Sequence, residues 1–200
     1  MTPSPAELSD ETLMLAFSAG DFAAFELLYT RHKNAVYRMT LRQCRHAGVA
    51  EELCQEIWMK IIAAAESYVV SARFTTWLYR IVQNRVIDYL RSHGKLAGIE
   101  QSLEEDETGE ALQVAAAATW QPEVHALRRE NAACLIDAIE ALPGPQREAV
   151  LLHFEGELTL EEIAHLTETS RETVKSRLRY GVRKIRESLL GLATAGEAPA

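Results

Sequence analysis

The stretch Thr159 to Leu189, TLEEIAHLTETSRETVKSRLRYGVRKIRESL, restricts the possible folds of this chain more than any other. Thr159 followed three residues later by Glu162 is a capping box, in which each side chain answers the other's backbone N–H, so a helix starts there. Ile163 and Leu166 then form an apolar stripe with Leu160 beside it, and Ala164 is small enough for a second helix to approach closely. After a turn at Thr167 to Thr169, Ser170 offers a second N-cap. Val174, Leu178, Ile185 and Leu189 recur at helical spacing with Val182 alongside, which requires one face to be buried. At about 100° per residue, Glu172, Ser176, Arg179 and Arg183 point the opposite way, with Lys175 and Arg186 next to them. Two capped helices across a three-residue turn, the second of them basic, make a helix-turn-helix suited to a DNA groove. There phosphates supply affinity and base edges supply specificity.

Charge is distributed to match. The chain carries a net charge of -8 at pH 7, yet Arg171 to Arg186 holds seven basic residues against the single acid Glu172. Residues 1–95 contain 11 basic and 10 acidic groups, residues 96–125 contain 0 and 7, and residues 126–200 contain 10 and 12. The acid is therefore concentrated in the middle piece, and the overall acidity does not exclude a DNA partner. It does make nonspecific DNA binding weak.

Two hundred residues allow one or two domains, each with a modest core. No apolar run approaches the ~20 residues of a membrane span, and MTPSPAELSDE lacks a basic region followed by an apolar core. A cytoplasmic protein without membrane insertion is expected. Cys44, Cys54 and Cys134 are odd in number and form no CxxC, so neither a disulfide framework nor a zinc knuckle is suggested. Cys44 with His46, and Cys54 or His32, have metal-donor chemistry. Such residues in amphipathic helices more often pack, and no metal or cofactor is expected. No nucleophile-base pair or Walker loop argues for an enzyme.

Taken in order, Ser9 caps a helix that stops near Gly20. Asp21 caps a long helix in which Phe22, Phe25, Leu28, Tyr29, Val36 and Met39 share a face, with Gly48 expected to end it. A third helix, from about Ala50 to Glu66, has an acidic leading edge that favours its N-terminus electrostatically and also offers a docking face. The short segment SYVVSAR precedes a helix from about Phe74 to His93, where Phe74, Trp77, Leu78, Ile81, Val82 and Leu90 form the apolar side. Residues 96–123, rich in acid and then alanine, read as a linker. After Pro122 a helix carries Leu127, Leu135, Ile136, Ile139 and Leu142 on one side, and Pro145 fits the first turn of the next. The expected architecture is all-α: a helical domain at 7–95, the acidic linker at 96–123, a helix-turn-helix domain at 124–192 and a disordered tail at 193–200.

Four segments in this order, GDFAAFELLYTRH, AEELCQEIW, FTTWLYRIVQNRVIDYLR and ALPGPQREAVLLHFEGELTLEEIAHLTETSRETVKSRLR, resemble the extracytoplasmic-function (ECF) sigma factors of the sigma-70 family. That resemblance implies an alternative sigma factor, a subunit that gives core RNA polymerase its promoter. It implies that Glu52, Gln55 and Glu56 bind the clamp helices of the largest polymerase subunit, through carboxylates that steer docking in a salt-sensitive way. The loop carrying Tyr68, Val69, Val70, Ser71 and Arg73 would take the single-stranded -10 element and hold a flipped base, the unstacking offset by pocket and stacking contacts. Arg80, Asn84 and Arg85 would follow the backbone of that strand, with Trp77 left to the core. Ser170, Arg171, Glu172, Lys175, Ser176 and Arg179 would read the -35 duplex, Glu172 accepting from cytosine. The polymerase flap, promoter DNA and an anti-sigma factor, which can hold the chain at the inner membrane face, complete the implied partners.

Two departures from the family pattern bear on the -35 surface. Glu168 and Thr169 occupy a turn where glycine and an aliphatic residue are usual, and a non-glycine residue in a left-handed turn costs about 1 kcal/mol. Gly181 stands where alanine is usual, at a helix cost of roughly 1 kcal/mol, so either a close contact compensates or the helix frays beyond it. Two other classes fit the motif alone. One is a helix-turn-helix regulator acting without polymerase on a palindromic site, and the other an interaction protein whose basic helix meets an acidic partner.

Overall fold

The computed structural model of the chain describes residues 8–93 and 132–195, which are helical apart from turns and short loops. The expected linker at 96–123 and the helix start after Pro122 lie outside the described residues. Four helices form the first unit: α1 (Asp10–Ser18), α2 (Phe22–Cys44), α3 (Ala47–Ala64) and α4 (Phe74–Ser92). Helical residues 132–140 are α5, followed by α6 (Gly144–Phe154), α7 (Leu160–Leu166) and α8 (Arg171–Ala195).

Side-chain caps set most of the helix starts. The Thr12 N–H donates to Ser9 Oγ at 3.2 Å, and the Ala23 and Ala24 N–H groups donate to Asp21 Oδ1 at 3.0 and 3.4 Å. Each supplies an acceptor to an orphan donor of the first turn. Gly48 does not end α2. The chain reverses at Arg45, in the left-handed region at φ 58°, and His46 caps α3 by accepting from the Val49 N–H at 3.3 Å. Gly48 thus lies inside the first turn of α3, which begins three residues earlier than its acidic edge suggests and ends in a 3-10 turn at Ala65–Ser67. At the other end of the chain α8 stays helical through Ala195, beyond Gly181 and into the expected tail, while residues 196–200 are outside the described part.

Leu13, Met14, Leu28, Val36, Met39, Ile57, Ile61, Phe74, Leu78 and Val82 are all buried and fill the first unit. Phe22 departs from the expected stripe: at the first position of α2 it is 77% exposed and meets Phe17 only edge-on, with ring centroids 6.2 Å apart. In the second unit Ala149, Val150, Leu151, Leu152, Leu158, Ile163, Val174 and Leu178 are buried, whereas Leu135 and Ile136 of α5 stay exposed.

One apolar cluster runs through both units. Buried Tyr79 of α4 donates from its hydroxyl to the Glu155 carbonyl at 3.1 Å, and its ring lies against Gly156. A Cβ on Gly156 would sit 3.2 Å from that ring and 2.6 Å from the Leu152 carbonyl oxygen, so the approach of the two units requires glycine there.

Candidate nucleic-acid interface

The helix-turn-helix is assembled from its caps inward. Thr159 Oγ1 accepts from the Glu162 N–H at 3.2 Å, and Glu162 Oε2 accepts from the Thr159 N–H at 2.8 Å. The turn closes with the Thr169 N–H on the Ala164 carbonyl at 3.0 Å, and Glu168 takes a left-handed φ of 52°. Ser170 Oγ then accepts from the Thr173 N–H at 3.1 Å and starts α8. With Ile163, Val174 and Leu178 buried between the helices, Arg171, Glu172, Lys175 and Arg179 are left exposed on the outward face. Ser176 is half-buried and donates to the Thr173 carbonyl at 2.9 Å.

That face is internally paired. Arg171 Nε lies 2.5 Å from Glu161 and its Nη1 3.6 Å from Glu172, while Lys175 Nζ is 3.8 Å from Glu172 on the other side. Glu161 is held below the usual carboxylate range by its own backbone N–H and by Arg171. The Arg179 and Arg183 guanidinium groups stand 5.0 and 5.1 Å from the centre of the Tyr180 ring. Such exposed pairs are weak and screened by salt, so phosphate or a base edge can replace them at little cost.

Gly181 faces inward. A Cβ there would fall 2.9 Å from Val150 Cγ2, so the glycine lets α8 cross close to α6, which accounts for its helix cost.

The loop before α4 divides into two kinds of residue. Val69, Val70, Ser71 and Arg73 are exposed, with Val69 at 73%, and the Ser71 N–H closes a tight turn onto the Val69 carbonyl at 2.8 Å. Tyr68 is different. It is 6% exposed and packs edge-on against Phe74 and Trp77 with ring centroids 6.3 and 5.1 Å away, so in the free chain it supports the loop from within. Asn84 is exposed on α4, one turn beyond Arg80.

Arg73, Arg80 and Arg85 are each engaged by other parts of the chain. Arg73 donates to the Glu157 carbonyl at 3.1 Å and lies 3.7 Å from Glu162, and Arg80 meets His165 at 3.2 Å. Arg85 pairs with Glu56, so one expected DNA residue is bonded to one expected polymerase residue, and that hydrogen bond holds the Glu56 carboxyl below its usual range. On α3, Glu52, Gln55 and Glu56 are exposed, and so are Met59 at 65% and Ile62 at 40%. The apolar extension of the acidic face is absent from the expected docking set, though its signal was present: Glu52, Glu56, Met59 and Ala63 fall on one face at helical spacing.

The candidate metal donors are otherwise used. His32 Nε2 meets Asp10 at 2.7 Å, His46 caps α3, and burial pushes the Cys54 thiol up to about 11. Among the described residues no group of three or more His, Cys, Asp or Glu is placed to hold a metal ion.

Residues 28–96 match the sigma-70 region 2 family and residues 132–185 match sigma-70 region 4. The ECF RNA polymerase sigma-E factor of Escherichia coli K12 is 32% identical over 178 residues, covering 86% of this chain and 90% of that protein. The chain belongs to the ECF sigma factors of the sigma-70 family. The Haemophilus influenzae sigma-E factor is 30% identical over 172 residues, covering 86% of this chain and 90% of the relative. In fold the chain is similar to CnrH solved with the cytosolic domain of CnrY, at TM-score 0.60 and 19% identity over 93% of this chain and 97% of that one. It is also similar to the Bartonella quintana sigma factor RpoE solved with the anti-sigma factor NepR, at TM-score 0.62 and 20% identity over 82% and 96%. This ECF sigma factor is thus an alternative sigma factor whose partners are RNA polymerase core and promoter DNA. No described helix is long and apolar enough to cross a membrane.

Proposed function

We propose that the promoter is read at two sites of this chain and the polymerase at a third. On the duplex -35 element, Arg171, Lys175 and Arg179 supply positive charge and hydrogen bonds, Ser170 and Ser176 add polar contacts at the start of α8, and Glu172 accepts from a cytosine edge. On the -10 element, Val69, Val70 and Ser71 hold an unstacked base while Arg73, Arg80, Asn84 and Arg85 follow the strand. Tyr68 underlies that loop. On the polymerase, Glu52, Gln55 and Glu56 dock the clamp helices, joined by exposed Met59, which adds apolar area to a surface otherwise dependent on charge. The second unit meets the flap. The chain contributes binding and no catalysis of its own, and acts in the cytoplasm. An anti-sigma partner restrains it, a reading supported by the two similar folds, both solved with a partner bound.

The observation that carries this reading is the basic outward face of α8, set by two caps and a buried seam, in the same chain as an exposed aliphatic loop flanked by arginines. The test is co-elution of the purified chain with core polymerase, followed by run-off transcription from a genomic fragment library. Start sites sharing upstream elements are the expected result, whereas binding to a palindromic operator without polymerase would replace this reading with that of a regulator. Glu52→Lys should weaken co-elution about tenfold and leave -35 duplex binding by the chain unchanged, because charge at a docking rim acts on association. Glu52 is the cleaner probe, since Glu56 also holds Arg85.

A further inference from the structure

Three glutamates of the second unit, spaced seven residues apart, reach polar groups of the first: Glu148 accepts from Gln83, Glu155 from Arg38 and Arg42, and Glu162 from Thr76 at 2.5 Å. Glu155 is the centre of this set. Arg38 grips it as a fork, with Nε 3.1 and 2.9 Å from its two oxygens and Nη2 at 2.6 Å, and Arg42 Nη1 adds a contact at 2.6 Å. The carboxylate stands at the C-terminal end of α6, where a helix disfavours negative charge, so its own helix gives no reason for an acid there. The reason lies across the interface.

Two guanidinium groups around one carboxylate leave the site with a net positive charge. A nucleic-acid phosphate diester carries the same single negative charge and the same pair of terminal oxygens, and arginine forks fit both. The adjoining cavity, of about 290 Å³, is lined by Arg31, His32, Arg38, Thr75 and Tyr79 from the first unit and by Glu155 and Glu157 from the second, and Thr75 has a buried hydroxyl without a hydrogen-bond partner. That hydroxyl is a spare donor in a hollow whose two acids, Glu155 and Glu157, both come from the second unit.

From this geometry we infer that Arg38 and Arg42 form a phosphate-binding site for the promoter strand, and that Glu155 occupies it as an internal stand-in while the two units are docked. This deepens the sigma reading and rests on it for the identity of the ligand. Docking also engages Arg73 and Arg80, so the second unit covers cations of the -10 surface from several sides at once. Free chain in the docked form binds single strands weakly, and parting the units exposes the whole set.

The test compares the full-length chain with Glu155→Gln, with Arg38→Gln/Arg42→Gln, and with the triple variant. Each is measured for radius of gyration by small-angle scattering and for affinity to a fluorescein-labelled mixed-sequence DNA single strand across a salt series. Glu155→Gln should expand the chain and bind the strand about tenfold more tightly, the gain for a chain docked about nine-tenths of the time. The double arginine variant should expand it as well but bind no more tightly than the parent. Its log affinity should fall with log salt less steeply than that of Glu155→Gln, by about 0.7 for each phosphate it no longer neutralises. The triple variant should lose the gain.

Expansion by Glu155→Gln without gain in affinity would overturn the phosphate site, and so would equal affinity and salt slope in the triple variant. Unchanged size and affinity in Glu155→Gln would overturn the stand-in. If the double variant melts early, Arg38→Lys/Arg42→Lys replaces it. Lysine keeps the charge and not the fork, so it should expand the chain and retain the steep salt slope, and a shallow slope there would count against the site. Failure of every form to co-elute with core polymerase would remove the sigma reading and leave the internal pairing as measured.

Discussion

At the scale of single residues, the informative positions are those where a general preference is overridden by a neighbour. Gly181 in α8 is expected to gain roughly 1 kcal/mol from alanine on helix propensity. The contact with Val150 Cγ2 reverses this, because a Cβ at 2.9 Å must displace a stiff, buried β-branched side chain. Gly181→Ala is therefore expected to destabilise by about 1 kcal/mol net, overpacking exceeding propensity, and Val150→Ala should partly rescue it in thermal melts. A Gly181→Ala chain more stable than the parent would mean that α6 and α8 do not approach this closely. Glu148 is the opposite case, an acid whose burial raises its pKa above the ordinary 4.5 despite the hydrogen bond from Gln83. Its charge opposes folding near neutrality. Glu148→Gln, which keeps the acceptor and removes the charge, is expected to raise the melting midpoint at pH 7, by roughly 2–4 °C for each kcal/mol gained. The gain should shrink as pH falls through 4.5, below which the parent carboxyl becomes neutral in both states.

Elements were legible where their signals are local. The Thr159–Glu162 box, the Asp21 and Ser170 caps and the 3.6-residue stripes each involve residues within a turn or two, and the helices start where those signals stand. The end of α2 was not legible, because Arg45 adopts the left-handed conformation that glycine normally supplies and the nearby Gly48 drew the boundary instead. Glu168 was legible as a departure, and the turn keeps the left-handed conformation with a glutamate in it. Glu168→Gly should relieve about 1–2 kcal/mol of left-handed strain and lose about 0.5–1 kcal/mol to chain entropy, a net stabilisation of about 0–1.5 kcal/mol. The recognition face should be unaltered, since the outward residues begin at Arg171. Duplex affinity that changes along with stability would show that the turn sets the angle of α8. The burial of Tyr68 was not legible for a related reason: a short loop has no periodicity to say which of its side chains turns inward.

At the scale of the whole molecule, a linker read at 96–123 does not say whether the two domains it joins touch, and in the structure they share a core and a set of ion pairs. The pairs from Glu155 to Arg38 and Arg42 span 117 and 113 residues, and no spacing rule reaches that far. The docking should respond to acid in a definite direction. Burial by itself would raise the pKa of Glu155, but hydrogen bonds and charge from Arg38 and Arg42 outweigh it and hold the carboxyl below 4.5. Glu162 is lowered in the same way, with Thr76, Thr159 and Arg73 outweighing burial. Groups whose folded pKa is depressed contribute stability that is complete above the unfolded value and is lost as pH falls through the folded one. Docking should therefore be at full strength above about pH 4.5 and weaken below it. Glu148 works against this trend, since its neutral form is the better tolerated, but it engages Gln83 and no arginine of the first unit. Within the first unit burial of Asp10 is outweighed by His32 and Arg31, and Glu11 and Glu56 are lowered by the Phe74 N–H and by Arg85, but that bundle also keeps an apolar core that does not titrate, so it should hold to lower pH than the interface does. In an acid titration the radius of gyration should rise before far-UV ellipticity is lost, and Glu155→Gln should start expanded and respond less. Coincident loss of compactness and helix would mean that the units unfold as one body and that the carboxylates do not govern their separation.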